Sequence, residues 1–323
     1  MAATSGEVKR LDELARQHKW IVPDDSVLAL TKAGEGNMNQ VHRAALESGA
    51  TLIFKESLPY VAKFPDIPAP IERIAVEASF YQAVKDTEIA TRMPLLVGYA
   101  PDAHCLCLED LGDGSDLTSL YEDQSSIDTT ILADLLAWLG ALHRIPIDEP
   151  NDFSNLAMRT LNHTHIFDLP FQPDNGLEFS KALSDGWREM LDSDLREAAL
   201  ALGEIYLDQS PRVGVLLHGD FYPGSWLQTK DKLSVIDPEF GFFGPAEFDL
   251  GVFQAHLLLA GFSETDAQSI VSKYPRSCDT HVAQRFAGVE VLRRLFGVAQ
   301  LPLKLDDAEK LELAAMAREM TLT

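Results

Sequence analysis

The chain has 323 residues, 46% of them hydrophobic and 24% charged, which is an ordinary globular make-up long enough for a large core or for two domains. Its 27 basic and 50 acidic residues leave a formal net charge of −23. That field repels nucleic acid and anionic membrane surfaces, so neither is expected as a partner. Cys105, Cys107 and Cys278 form no CxxC pair, which fits a reducing cytoplasm. The first residues are polar and lack the apolar stretch of a signal peptide, and no apolar run approaches the roughly 20 residues that span a bilayer.

In chain order, 7–19 reads as an amphipathic helix with Leu11, Leu14 and Ala15 on one face. A strand starts at 27–30. Residues 33–40 form a turn holding Gly34 and Gly36, and 41–45 with 51–55 make an antiparallel pair around Glu47-Ser48-Gly49. The proline-rich stretch 58–70 is expected to be irregular. Residues 71–85 are helical by the recurrence of Ile74, Ala78, Tyr81 and Val84. Strands are expected at 95–99 and 104–108, with Cys105 and Cys107 on one side of the sheet. The acidic, glycine-containing run 109–116 reads as a linker. From 127 onward helices dominate, at 130–143, in one or two pieces over 179–206, and at 248–260, 264–274, 278–296 and 306–320; 152–176 is expected to be irregular.

One stretch is organised differently. The apolar run 213–217 leads into His218-Gly219-Asp220-Phe221-Tyr222-Pro223-Gly224-Ser225-Trp226, and a polar turn at 229–232 precedes a strand that ends at Asp237-Pro238-Glu239. An aspartate on a loop, with a second at a strand end 17 residues later, suits phosphoryl transfer. One acid can orient a hydroxyl and accept its proton, and the other can hold a magnesium ion on phosphates. The plainer reading is a pair of acidic surface turns.

Together these pieces resemble the protein-kinase-like fold, and more narrowly the aminoglycoside phosphotransferase and choline kinase superfamily, above all its methylthioribose kinases. The resemblance runs from about residue 28 to 302, and 34–39, 54–60, the stretch from His218 to Trp226 and the segment Asp237-Pro238-Glu239-Phe240-Gly241-Phe242-Phe243-Gly244-Pro245 carry it most specifically. It implies an α+β, two-lobed protein: a small antiparallel β lobe over 1–111 that binds nucleotide, and a larger helical lobe over 112–323 that carries catalysis and substrate. Gly34, Gly36 and Asn37 would lie over the ATP phosphates, where a missing Cβ lets backbone amides approach. Lys55 would contact the α and β phosphates, held by Glu77, with Glu72 as the rival acid. Glu109 and Leu111 fall at the adenine-binding hinge. Asp220 would be the catalytic base and His218 a support of its loop. Magnesium would sit on Asp237, with Glu239 and Ser225 as further ligands. Arg293 and Arg294 match paired arginines at the sugar site, although a solvated helix face is the alternative. Tyr222, with Phe221 and Trp226, either lines a pocket or packs under the loop. Asp249 is expected to anchor the catalytic loop from its helix.

The family's loop commonly reads His-Gly-Asp-Leu-His-Thr-Gly-Ser, where this chain has Phe221-Tyr222-Pro223 after Asp220. The implied activity is ATP- and magnesium-dependent phosphorylation of a sugar hydroxyl, 5-methylthioribose or a relative, in the cytoplasm. Choline- or aminoglycoside-type amines and small alcohols remain alternative acceptors, and a nucleotide-binding pseudokinase is an alternative of another class. The same resemblance implies a homodimer.

Overall fold

A computed structural model describes residues 4–34, 38–122, 127–208 and 214–323. Helix α1 (Ser5–Gln17) begins at a capping box between Thr4 and Glu7 and buries Leu11 and Ala15. Strands β1 (Val27–Lys32), β2 (Gln40–Leu46) and β3 (Thr51–Glu56) are antiparallel neighbours. Gly49, at φ +87°, closes the β2–β3 turn in the left-handed region that glycine adopts without steric cost. The stretch expected to be irregular at 58–70 contains a short hairpin, β4 (Tyr60–Val61) with β5 (Phe64–Pro68). Its prolines are compatible with pairing because a two-stranded ladder asks for few N–H donors.

Helix α2 (Arg73–Val84) turns Ile74, Ala78, Tyr81 and Val84 inward, as its periodicity predicts. Strands β6 (Leu96–Ala100) and β7 (Cys105–Glu109) complete a five-stranded antiparallel sheet in the order β1-β2-β3-β7-β6. Cys105 and Cys107 are fully buried with Phe54 and Leu11. The acidic run read as a linker is tied to the sheet. Arg43 on β2 holds Asp110 at 2.7 Å and Asp113 at 3.2 Å and donates to the Gly112 carbonyl at 2.8 Å. The run ends in the short strand β8 (Gly114–Asp116).

Helix α3 (Thr129–Leu142) is capped by Asp128, whose carboxylate accepts the Thr130 N–H. The stretch 152–176, expected to be irregular, is instead largely helical. Helix α4 (Leu156–His163) runs on into a π-helical turn, Thr164–Asp168, and a 3₁₀ turn, Leu169–Phe171. Tertiary bonds add to the good helix formers of its first turn, Leu156 to Arg159. The buried Arg159 guanidinium donates to the carbonyls of Ser154, Tyr206 and Asp208. Then come α5 (Lys181–Met190), α6 (Ser193–Leu207), and the short strands β9 (Val215–Leu217), β10 (Trp226–Thr229), β11 (Leu233–Val235) and β12 (Phe242–Gly244). Strands β9 and β12 pair antiparallel. Helices α7 (Ala246–Leu259), α8 (Glu264–Val271), α9 (Thr280–Phe296) and α10 (Asp307–Leu322) close the chain.

Contacts group the chain into two compact units, Met1–Ser115 with Gln228–Phe240, and Asp116–Leu227 with Gly241–Thr323. Residues 228–240, downstream of the break expected near 111, thus cluster with the sheet. The second unit is built around α7, every residue of which from Phe248 to Leu259 is buried, as for a helix covered on all sides. Helices α9 and α10 cross closely at Gly288, where an added Cβ would lie 2.5 Å from the Ala317 carbonyl oxygen. Among the described residues no helix is long and apolar enough to cross a membrane.

Candidate active site

Each unit of this protein buries a group of polar side chains. In the first unit, β3 ends on Lys55 and Glu56, with Lys55 opposite Val41 on β2 and Leu106 on β7. Its ammonium lies 2.8 and 2.9 Å from the two carboxylate oxygens of Glu77 on α2, and 2.9 Å from Asp237. Glu77, not Glu72, is the acid the fold delivers to this lysine. Lys55 is 2% exposed and Glu77 0%, whereas the Asp237 side chain is half exposed. Burial works against the Lys55 charge, but Asp237, Glu239 and Glu77 outweigh it and hold the pKa well above its ordinary value. Burial raises the Glu77 carboxyl, and Lys55 draws it back down.

Asp237 takes φ +61°, a left-handed conformation uncommon for a residue with a Cβ. Two residues on, the Glu239 carboxylate accepts a hydrogen bond from the Asn39 side-chain amide and lies 3.9 Å from Arg73. Arg73, at the start of α2, is 1% exposed. It donates to the side-chain oxygen of Asn39 at 3.1 Å and to the carbonyls of Met38, Leu58 and Pro70 at 2.7–2.8 Å. Sequence reasoning missed Arg73 and Asn39, because nothing local distinguishes them from a helix-start arginine and a turn asparagine. Around Lys55 and Arg73 stand three acids, Glu77, Asp237 and Glu239, one more than the cations they face.

Gly34 adopts φ +73° with open space where a Cβ would stand. Gly36 and Asn37 lie outside the described residues. Glu109 pairs with Leu52 at the end of β7, and its carboxylate accepts the Leu95 N–H at 3.1 Å. Leu111 is half-buried.

In the second unit, the loop after β9 is held from below. Asp249 on α7, fully buried, accepts the backbone N–H of His218 at 2.7 Å and that of Gly219 at 2.9 Å. His143 at the end of α3 lies 3.2 Å from the same carboxylate and 2.6 Å from the Tyr274 hydroxyl. Gly219 at φ +84° allows the bend. His218, Phe221 and Trp226 are fully buried, with Phe221 stacked on Trp138, so these side chains pack beneath the loop. The Ser225 hydroxyl, also buried, donates to the Asp220 carbonyl at 2.9 Å.

The Asp220 carboxylate meets Arg294 at 3.1 Å. Burial raises its pKa, and the two arginines 293 and 294 pull against that rise. Both arginines are gripped by Glu290, one turn earlier on α9. Arg294 Nε lies 2.6 Å from it and Arg293 Nη1 2.7 Å. The Arg294 guanidinium also lies over the Tyr222 ring, 4.9 Å from its centroid. His256 on α7 lies 3.3 Å from Glu290 and 2.5 Å from the Tyr121 hydroxyl, and burial depresses its pKa to about 4, leaving it neutral. Glu290 was not anticipated from the sequence, although its i, i+3 and i, i+4 spacing to the arginine pair is a legible signal. Arg294 further lines a cavity of about 200 Å³ with Phe179, Leu183, Leu295, Gln300 and Lys310. Among the described residues, no cluster of three or more His, Cys, Asp or Glu side chains is arranged to hold a metal by itself.

The antiparallel sheet unit with its lysine–acid pair, and the helical unit with its braced acidic loop, give this protein a protein-kinase-like fold. A sequence profile of the phosphotransferase enzyme family matches residues 33–274, and the chain belongs to that family. It is similar to methylthioribose kinase 1 of Oryza sativa subsp. japonica, 28% identical over an aligned length of 252 residues, covering 73% of this chain and 57% of the rice protein. The chain therefore spans little more than half the length of that relative. The methylthioribose kinase of Geobacillus kaustophilus is 26% identical over 355 residues, covering 93% of this chain and 86% of its own. Among solved structures, a choline kinase from Streptococcus pneumoniae shares the fold with a TM-score of 0.56 at 14% identity, covering 98% of this chain and 99% of its own. A spectinomycin phosphotransferase, in complex with ADP and spectinomycin, does so at 0.54 and 12%, covering 100% and 98%.

Proposed function

We propose that this protein is a small-molecule kinase that transfers the γ-phosphate of ATP, with magnesium, to a hydroxyl of 5-methylthioribose or a related sugar. The observation that carries the reading is the buried Lys55 ammonium, fixed at once by Glu77 and Asp237. A lysine so held is ready for phosphate oxygens. The half-exposed Asp237 carboxylate among these acids suits a divalent cation, and hard carboxylate oxygens suit magnesium, which keeps waters and phosphate oxygens as its remaining ligands. Asp237, the most exposed carboxylate there, would hold the ion. Glu239, engaged by Asn39, and Ser225, bonded to the Asp220 carbonyl, would support the segments around the reaction. Magnesium on the phosphates would offset charge during transfer. Asp220 would orient the acceptor hydroxyl and take its proton as the new P–O bond forms. Arg293, Arg294 and Tyr222 would serve the acceptor, with the cavity beside Arg294 available to it.

The charges around Asp220 favour a sugar over an amine. Glu290 and Asp220 already face two guanidinium groups, which leaves this group no surplus carboxylate for a choline-like or aminoglycoside-like ammonium. The names of the relatives agree with a sugar acceptor. The test is phosphorylation of a panel of sugars, amines and small alcohols by Mg-ATP, with Asp220→Asn as control. Turnover of a pentose derivative, lost in the control, is the expected result. Wild type and control equally inactive across the panel, with nucleotide still bound, would instead establish a pseudokinase.

A further inference from the structure

We propose that Glu290 is a positioning residue for the transfer reaction: by gripping Arg294 it sets where that guanidinium meets Asp220 and balances the charge there. The inference rests on reading Asp220 as the proton acceptor. Glu290 is 2% exposed, yet its carboxylate is fully engaged. Arg294 Nε lies 2.6 Å from one oxygen, His256 Nε2 3.3 Å from the same oxygen, and Arg293 Nη1 3.0 and 2.7 Å from the two. Held by Nε, Arg294 turns Nη2 to Asp220 at 3.1 Å, while Tyr222 supports the guanidinium plane from beneath. A guanidinium presents its donors in a rigid fork, so fixing one edge fixes where the other points.

The charge count gives Glu290 a second task. Glu290 and Asp220 balance Arg293 and Arg294, and His256 is neutral, so the group sums to zero. The other titratable groups near Asp220 are His218 on its own loop, Tyr222 two residues on, Tyr206 on α6, and Tyr121. Without Glu290, two guanidinium groups would face Asp220 alone. A general base hemmed in by excess positive charge holds its proton less well and so accepts one less readily.

The test uses the full-length protein and the acid limb of the pH profile of kcat/KM. Glu290→Gln should lower kcat roughly tenfold or more at neutral pH and move the acid limb down by about one pH unit, since an added charge at this range shifts a carboxyl by that order. Arg293→Gln removes a partly exposed cation, is less disruptive to folding, and should move the same limb up. Combined with Arg294→Met, Glu290→Gln should add little further loss, because its effect passes through Arg294. Folded variants whose limb stays at its wild-type pH, or losses that simply add, overturn the proposal. Should Glu290→Gln fail to fold, the Arg293→Gln limb alone decides: an upward shift sustains the charge balance and no shift sinks it. Asp220→Asn separates the two levels. Full activity in that variant removes the base assignment itself, whereas its inactivity beside unaffected Glu290 and Arg293 variants removes only the positioning role of Glu290.

Discussion

Replacing Lys55 with methionine isolates the energetics of the first-unit cluster. The substitution keeps the length of the stem and deletes the charge that lies 2.8 Å from a fully buried Glu77. Breaking a buried ion pair by removing one partner costs about 3–5 kcal/mol, because the other charge is left without a counter-ion. Asp237 adds little to this, since its side chain is half exposed and solvent screens it. The orphaned carboxyl has one way out, which is to bind a proton. With an unfolded pKa of 4.5, that costs about 1.4 kcal/mol for each pH unit above it, so the penalty is capped near about 3 kcal/mol at pH 7 and below about 1 kcal/mol at pH 5. The sign follows from a folded pKa above the unfolded one: the stability is present at low pH and lost as pH rises. Thermal unfolding followed by circular dichroism at both pH values measures this, and a drop on the order of 6 °C is expected at pH 7. The double variant Lys55→Met with Glu77→Leu should recover most of the loss at pH 7, since an apolar pair can replace a buried ion pair. A penalty under about 1 kcal/mol at pH 7 would refute the reasoning, for it would mean that Glu77 already carries a proton beside Lys55.

Three further outcomes follow from the second unit. Asp249→Asn leaves one carbonyl oxygen to serve two backbone N–H groups and His143; a loss of about 2–3 kcal/mol is expected in chemical unfolding, with kcat falling more than KM rises. His256, depressed from 6.5 to about 4 by burial, is held neutral; the stability this gives is complete above pH 6.5 and is lost as pH falls toward 4, about 3 kcal/mol in all. A flat unfolding temperature over that interval, once corrected with a His256→Gln variant, would contradict the assignment. Gly288→Ala places a methyl group 2.4 Å from the Thr321 hydroxyl and 2.5 Å from a backbone carbonyl of α10, and should cost about 1–3 kcal/mol in thermal unfolding through overpacking of α9 on α10.

Much of this protein could be read from local pattern. Periodicity placed α1, α2 and the helices from α7 onward because burial of one face, or of every face, writes itself into residue spacing. The phosphotransferase family was legible from Lys55 at the end of a strand and from Asp220 and Asp237 in tight loops, because these short segments keep their residue types together in the chain. The hairpin at 60–68 and the helix at 156–163 were not legible. One is permitted by weak ladder demands, and the other is held by Arg159 bonding to carbonyls more than 40 residues away. The same distinction runs through the candidate site. The sequence alone determined which residue types end β3 and fill the loops that follow β9 and β11. Tertiary structure decided that Glu77 rather than Glu72 pairs with Lys55, that Glu239 bonds to Asn39 and lies beside Arg73, and that Glu290 grips the arginine at Asp220. The reason is physical. A charge inside a protein is defined by its partners, and those partners lie on other elements or on helix turns whose facing only the packed fold establishes.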